Sequence, residues 1–188
     1  MKNNYLTTAW LVLLLALLFG AGLAGVDTML RKRIAANKLT ETYKQIPALV
    51  PGGDTAGGIK EIGEFNVYSV LDADGEFVGW VVPTSGQGFA DRIEILLGLN
   101  ADATKITGIY VLDQKETPGL GNKIVEEKWR AQFAGKATER PLIVTKSPPQ
   151  GEFEVQAVTG ATISSDSVTE TVNKTVEKFR KALKGEGK

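Results

Sequence analysis

The segment Val158–Val168, "VTGATISSDSV", sets a Gly-Ala-Thr step directly ahead of an amphipathic run. Beyond it, Val168, Val172, Val176, Phe179 and Leu183 recur at helical spacing and define one apolar face. The pattern predicts a closing helix over about Ser165–Leu183. Lys178, Arg180, Lys181 and Lys184 fall near its C-terminal end, where the helix dipole favours cations. Thr162 therefore stands where Ser and Thr ordinarily cap a helix. Whether capping is its whole task depends on what surrounds it.

Upstream, "EFNVYSVL" and "EFVGWVVPT" are β-rich runs joined by Asp72-Ala-Asp-Gly75, a hairpin pattern. "RIEILLGL" and "KITGIYVL" form a second such pair around Asn100-Ala-Asp-Ala-Thr104. Val125, Trp129 and Phe133 lie four residues apart and predict an amphipathic helix over Ile124–Phe133. "PLIVT" and "EFEVQAV" read as two further short strands, separated by the breaker Ser147-Pro-Pro149. No internal repeat is evident. The expected fold is a single α+β domain of short antiparallel strands and amphipathic helices.

Composition narrows the chemistry. The 188 residues carry 22 basic and 22 acidic side chains, without the basic excess of a nucleic-acid binder. There is no cysteine, which excludes disulfides, thiolate-held clusters and thiol catalysis within the chain. There is no histidine either, which removes the commonest general base and metal ligand, and no metal site is expected. Redox chemistry, if present, would rest on an organic cofactor.

Residues 3–26 are uncharged throughout, between Lys2 and Asp27, and about 20 apolar residues suffice to cross a bilayer core. The run is longer than a signal-peptide core, and "DTMLRKRIAANKLTETYKQI" continues it as a helix. It reads as an uncleaved single-pass anchor. A cleaved signal peptide ending near Gly22-Leu23-Ala24 is the rival reading. Ala16, Gly20 and Ala24 give one small-residue face, suited to close helix contact in lipid or simply common in membrane helices. The expected division is 1–48, transmembrane helix and stalk, and 49–188, the folded domain. Arg31, Lys32, Arg33 and Lys38 follow the span while Lys2 precedes it, which by the positive-inside rule puts the domain in the cytoplasm.

Three glycine-rich loops stand apart from the strands and helices. They are "SGQGFAD" with Gly86 and Gly88, "ETPGLGNK" over Glu116–Lys123, and "TGATISS" over Thr159–Ser165. Glycine lets backbone N–H groups approach a ligand closely, and the last two loops each lead into a helical segment, whose start attracts anions. Lys123 adds a point charge suited to phosphate. Structurally, the same loops also read as plain turns with a solvated lysine.

Together, "ETPGLGNKI" and "VTGATISS" resemble the covalent-FMN-binding domain of the G subunit of Rnf ion-translocating electron-transport complexes. A related domain occurs in the C subunit of the Na⁺-translocating NADH:quinone reductase. The similarity extends to the N-terminal span, the "GQGF…IEILLGL" segment and the loop order. The chain is short for the quinone-reductase protein, which favours the Rnf one. The resemblance implies FMN esterified through its phosphate to the threonine of the Gly-Ala-Thr step, here Thr162. It implies a cofactor site drawn from Glu116, Thr117, Pro118, Gly119, Leu120, Gly121 and Lys123, from Thr159, Gly160, Ala161, Ser164 and Ser165, and from Gly86 and Gly88.

Gly160 and Ala161 would leave the approach to Thr162 open, and Thr159, Ser164 and Ser165 would hydrogen-bond the phosphate or cap the helix. With no histidine or cysteine to activate Thr162, a separate flavin transferase using FAD as donor is implied. Trp80, Tyr110, Phe89 and Leu120 are candidates to pack near the ring or in the core. Two positions depart from the family pattern. Gln156 stands where an acidic residue often precedes the acceptor motif, and Gln114 where many relatives carry histidine.

The implied function is that of an electron carrier, not a complete enzyme alone, within a ferredoxin:NAD⁺ oxidoreductase coupled to Na⁺ or H⁺ transport. Its partners would be the other membrane and peripheral subunits and the lipid bilayer. The family places the FMN domain outside the cytoplasmic membrane, against the charge count, and large domains do translocate despite flanking charge. Two rivals remain: a stand-alone membrane-anchored extracytoplasmic flavoprotein, and a non-redox anchored binding or assembly module.

Overall fold

Both predicted strand pairs fold into one antiparallel meander in a computed structural model, which describes residues 5–186. The strands are β1 (Thr55–Ile62), β2 (Phe65–Leu71), β3 (Phe77–Gln87), β4 (Arg92–Asn100) and β5 (Ile106–Asp113), paired in sequence order. The β2–β3 turn forms as read. Asp72 Oδ1 accepts from the Asp74 and Glu76 N–H groups at 3.0 and 2.8 Å, and Gly75 takes a φ of +83°. That backbone conformation carries a steric cost for residues with a Cβ, which is why the turn ends on glycine.

In β3 and β4 consecutive residues are apolar and buried, as in Val81-Val82 and Leu96-Leu97. Side chains alternate faces along a strand, so such runs mean that both faces of the sheet are covered. On one face Val67, Val82, Leu97 and Ile109 pack with Val168, Val172, Val176 and Phe179 of the last helix, α3 (Thr162–Glu186). On the other, Tyr68, Val70, Val81 and Leu96 pack with Ile46, Leu49 and Val50 at the end of the first helix, α1 (Tyr5–Leu49). Thr107 Oγ1 donates to the Leu49 carbonyl at 2.6 Å, satisfying an acceptor that the helix end leaves open.

The chain divides into two compact units, Met1–Thr40 and Glu41–Lys188. In the first, Trp10, Leu17, Phe19, Leu23 and Met29 are exposed around the helix, and Arg31 pairs with Asp27 at 2.6 Å. Among the described residues, α1 alone is long and apolar enough to cross a membrane. Lys2, the basic residue preceding the span, lies outside the described residues.

Three differences from the sequence reading have local causes. The strand β1, "TAGGIKEI", was not expected, because Gly57-Gly58 breaks the β pattern. It pairs with β2 across an irregularity between Ala56 and Ile59, and a side chain at Gly57 would collide with Ser69. The expected helix over Ile124–Phe133 is instead a 3-10 turn (Gly121–Val125), a single α turn, α2 (Glu127–Arg130), and a second 3-10 turn (Ala131–Phe133). Glu126 between them is extended, at φ −65° and ψ 133°. Only Trp129 and Phe133 of the predicted stripe are buried, in edge contact at 5.2 Å, while Val125 stays 40% exposed, so the stripe is too short to hold a continuous helix. Finally, β6 (Ile143–Thr145) and β7 (Glu154–Gln156) pair in parallel as a separate two-stranded ribbon.

Candidate functional site: the pocket at the start of α3

The last helix begins at Thr162, earlier than the Ser165 expected, because a tight turn delivers the chain directly into it. The Ala161 N–H donates to the Val158 carbonyl at 2.9 Å, and Gly160 inside the turn takes a φ of +80°. A side chain at Gly160 would also meet Leu120 Cδ2 at 2.9 Å. The first intrahelical bond runs from the Ser165 N–H to the Ala161 carbonyl at 3.1 Å. The Thr162, Ile163 and Ser164 N–H groups precede it and take no partner among the described residues. Such unpaired donors at a helix N-terminus, with the positive end of its dipole, favour an anion.

A pocket of about 390 Å³ opens at this point. Its walls come from three segments distant in sequence: Phe89; Thr117, Leu120 and Gly121; and Gly160–Ser164. The rim is apolar, with Phe89 62%, Leu120 44% and Ile163 57% exposed. Thr162 is half-buried in the wall, and its hydroxyl makes no hydrogen bond among the described residues.

The other hydroxyls of "TGATISS" differ. Ser165 is fully buried, accepting from the Val158 N–H at 2.9 Å and donating to the Ala161 carbonyl at 3.0 Å. Ser164 is 3% exposed and its hydroxyl is held by Glu116 Oε2. The hydroxyl protons of Ser164 and Ser165 are committed to Glu116 and the Ala161 carbonyl, so both side chains brace the start of the helix from within. Thr159 is exposed in the turn and outside the pocket wall.

Glu116 is likewise a brace. Its Oε1 accepts the Ala90 N–H at 3.0 Å while its Oε2 holds Ser164, and its own N–H donates to Gln114 Oε1 at 2.6 Å. Burial pushes its carboxyl up, but the Ser164 hydroxyl and the Ala90, Asp91 and Phe89 N–H groups outweigh this and leave it below the ordinary 4.5. Gly88 and Gly121 make room for it. A side chain at Gly88 would collide with Glu116 Oε1, and one at Gly121 would meet Ser164 Oγ at 2.7 Å and Glu116 Cβ at 2.9 Å.

In the second loop Thr117, Pro118 and Gly119 are exposed, and Gly119 takes a φ of +76° with its N–H donating to Asn122 Oδ1 at 2.7 Å. Lys123 is exposed and outside the pocket wall. Gly86 is elsewhere: a side chain there would collide with Thr171 Oγ1, so it serves close packing of β3 on α3. Trp80 is a core residue, packed on Phe77 and Phe179 and donating to the Ala101 carbonyl at 3.1 Å. Tyr110 instead bonds Glu41 at 2.9 Å beneath Arg130. Phe89 and Leu120 do reach the site. Ile163 was missed, since an apolar residue beside two serines carries no sequence signal of its own.

The arrangement matches known proteins. A family model of the FMN-binding domain matches residues 88–177, starting at the Gly88 loop and ending within α3. The chain is 37% identical over 142 residues to the G subunit of the Na⁺-translocating ferredoxin:NAD⁺ oxidoreductase complex of Acetobacterium woodii. That alignment covers 72% of this chain and 68% of that protein. The chain belongs to this family of FMN-binding G subunits.

Identity is 34% over 110 residues to the G subunit of the ion-translocating oxidoreductase complex of Methanosarcina acetivorans, across 58% of this chain and 56% of that one. It is 35% over 112 residues to the C subunit of the Na⁺-translocating NADH-quinone reductase of Vibrio anguillarum, across 56% of this chain and 44% of that one. The chain thus spans about half the length of these two relatives. Solved structures share the fold. NqrC of Shewanella oneidensis superposes with a TM-score of 0.57 at 23% identity, over 74% of this chain and 73% of that one. The corresponding protein of Parabacteroides distasonis gives 0.56 at 20%, over 75% and 82%. The chain is therefore an FMN-binding α+β domain behind an apolar helix, from a family whose members belong to multi-subunit complexes, and is membrane-associated.

Proposed function

We propose that this chain is the electron-transfer subunit of a membrane-bound ion-translocating ferredoxin:NAD⁺ oxidoreductase, with FMN joined through its phosphate to Thr162. The observation that supports the attachment is the contrast among neighbouring hydroxyls. Among the described residues, Thr162 and Thr117 both line the pocket with an unbonded hydroxyl, and Thr162 is the one that stands at the unpaired N–H groups of the α3 N-terminus. A phosphate on its Oγ falls within the field of the α3 N-terminus, and Phe89, Leu120 and Ile163 offer apolar surface to a flavin ring.

When bound, isoalloxazine supplies one- and two-electron transfer, while the chain holds and orients it. The other subunits of the complex supply donor and acceptor. No histidine or cysteine is present to activate Thr162, which supports maturation by a separate flavin transferase drawing on FAD. We place α1 across the lipid bilayer and the FMN domain on the extracytoplasmic side. Reporter fusions at each terminus test the sidedness, and a cytoplasmic C-terminus sinks it.

The site is tested by intact mass and by in-gel flavin fluorescence after denaturation, on protein made beside a flavin transferase. Wild type should gain FMN less one water and fluoresce, and Thr162→Ala should do neither. Unmodified wild type, with a known acceptor labelled in the same cells, defeats the assignment.

A further inference from the structure

The pocket needs three separate segments in register, and one side chain ties them together. We propose that Glu116 is a positioning residue for FMN attachment, holding the first turn of α3 and the Phe89 loop so that the Thr162 hydroxyl is fixed for phosphoryl transfer. This rests on the reading of Thr162 given above.

Glu116 belongs to the segment that carries Thr117, Leu120 and Gly121. Its Oε2 takes the Ser164 hydroxyl, two residues from Thr162 and on the same helical turn. Its Oε1 takes the Ala90 N–H, next to Phe89 on the pocket rim, at 3.0 Å. No ion pair to a cation accompanies it among the described residues, although only 4% of the residue is exposed. A buried carboxylate held only by hydroxyl and amide donors is a costly arrangement. The chain also keeps glycine at two positions, Gly88 and Gly121, where any side chain would strike this carboxylate or its serine partner. The carboxylate offers one acceptor oxygen to the Ala90 N–H and the other to the Ser164 hydroxyl, so it restrains both segments at once.

The restraint matters because of the geometry of the step. The Thr162 oxygen bonds to the riboflavin-side phosphorus of FAD as the phosphoanhydride P–O bond breaks. AMP leaves with the electron pair, and the hydroxyl proton passes to a base of the transferase. Oxidation states do not change. In-line displacement is sensitive to small misplacements of the nucleophile. Thr162 has no hydrogen bond of its own from its hydroxyl among the described residues, so its position is set by the turn that carries it.

The test uses the full chain in membranes, with FAD and purified flavin transferase. Flavin incorporation is followed by mass, the modified residue by peptide mapping, and folding by thermal denaturation. For folded Glu116→Leu, which has no acceptor for either segment, we expect incorporation at saturating transferase to fall on the order of tenfold or more. The transferase concentration giving half-maximal rate should be unchanged and the label should stay on Thr162. Ser164→Ala, which removes one restraint and keeps the carboxylate, should slow incorporation by a smaller factor. A wild-type rate in folded Glu116→Leu overturns the proposal, as does a loss seen only at low transferase, which would make Glu116 part of a docking surface. If Glu116→Leu does not fold, Ser164→Ala decides: slowed incorporation supports the proposal and a wild-type rate defeats it. Wild-type protein that takes no label fails the reading of Thr162 instead, and the two failures are thereby distinct.

Discussion

The first turn of α3 and the turns that follow it obey opposite rules. From Val168 to Phe179 the buried stripe is apolar, with Val168, Val172, Val176 and Phe179 all pressed on the sheet. Buried hydroxyls in this stretch are settled locally, Thr169 and Thr171 on carbonyls one turn back and Thr175 against Thr84 of β3. In the first turn the buried side chains are Ser164 and Ser165, while Ile163 is 57% exposed. An amphipathic helix gains stability by burying its apolar face, so this reversal at its start does not serve packing. It serves to fix a short backbone segment by hydrogen bonds and to leave a small apolar rim beside one uncommitted hydroxyl. Stability and the proposed attachment site are divided along a single helix, and substitutions should separate them.

The largest expected effect lies in the stability half. Phe179 is fully buried and meets Phe65 and Trp80 edge-on, at 6.1 and 6.0 Å. Phe179→Ala should cost about 3–5 kcal/mol of unfolding free energy by cavity formation. Denaturant unfolding of the detergent-solubilised chain measures this. Any flavin incorporation lost should track the unfolded fraction, because Phe179 lies far along the helix from the Thr162 turn.

A smaller effect with a different signature is expected at the turn before the helix. Gly160→Ala forces a residue with a Cβ to a φ of +80° and against Leu120 Cδ2. Such strain costs on the order of 1–3 kcal/mol. Here incorporation at Thr162 should fall by more than the loss of stability explains, since the turn and the Leu120 wall shift together. Equal incorporation per folded molecule would erase the distinction between the two halves of α3.

How much of this was legible beforehand follows the same division. The stripe Val168–Leu183, the strands around Asp72–Gly75 and Asn100–Thr104, and the apolar N-terminal run are periodic, and period is what sequence records best. The loop motifs also led to the pocket through Thr117, Leu120, Gly121 and Thr162. What escaped were relations between residues distant in sequence. Glu116 and Ser164 are 48 positions apart, and nothing local announces their bond. Gly86 looked equivalent to Gly88, yet one faces Thr171 in the core and the other makes room for Glu116. The strand β1 is hidden by glycines, one of which admits Ser69, and the short helix breaks up because Val125 matches a helical spacing on a face that is not covered.

The most delicate probe of the braced turn is pH. The Glu116 carboxyl sits below its ordinary 4.5 in the folded chain, because the Ser164 hydroxyl and the backbone donors outweigh the burial that opposes them. A group whose folded value is depressed lends stability above its unfolded value, and that contribution is lost as pH falls through the folded value. The loss therefore begins below about pH 4.5 and proceeds at no more than about 1.4 kcal/mol per pH unit for one proton. Glu116→Gln has no proton to take up, so its unfolding free energy should fall less steeply in this window. The two curves should lie furthest apart near neutrality and converge in acid. Denaturant midpoints collected from neutral pH downward test this, with Phe179→Ala as the control. That variant weakens the other half of the helix and should fall in parallel with wild type. Parallel curves for Glu116→Gln would mean that the charge on this side chain does not brace the turn.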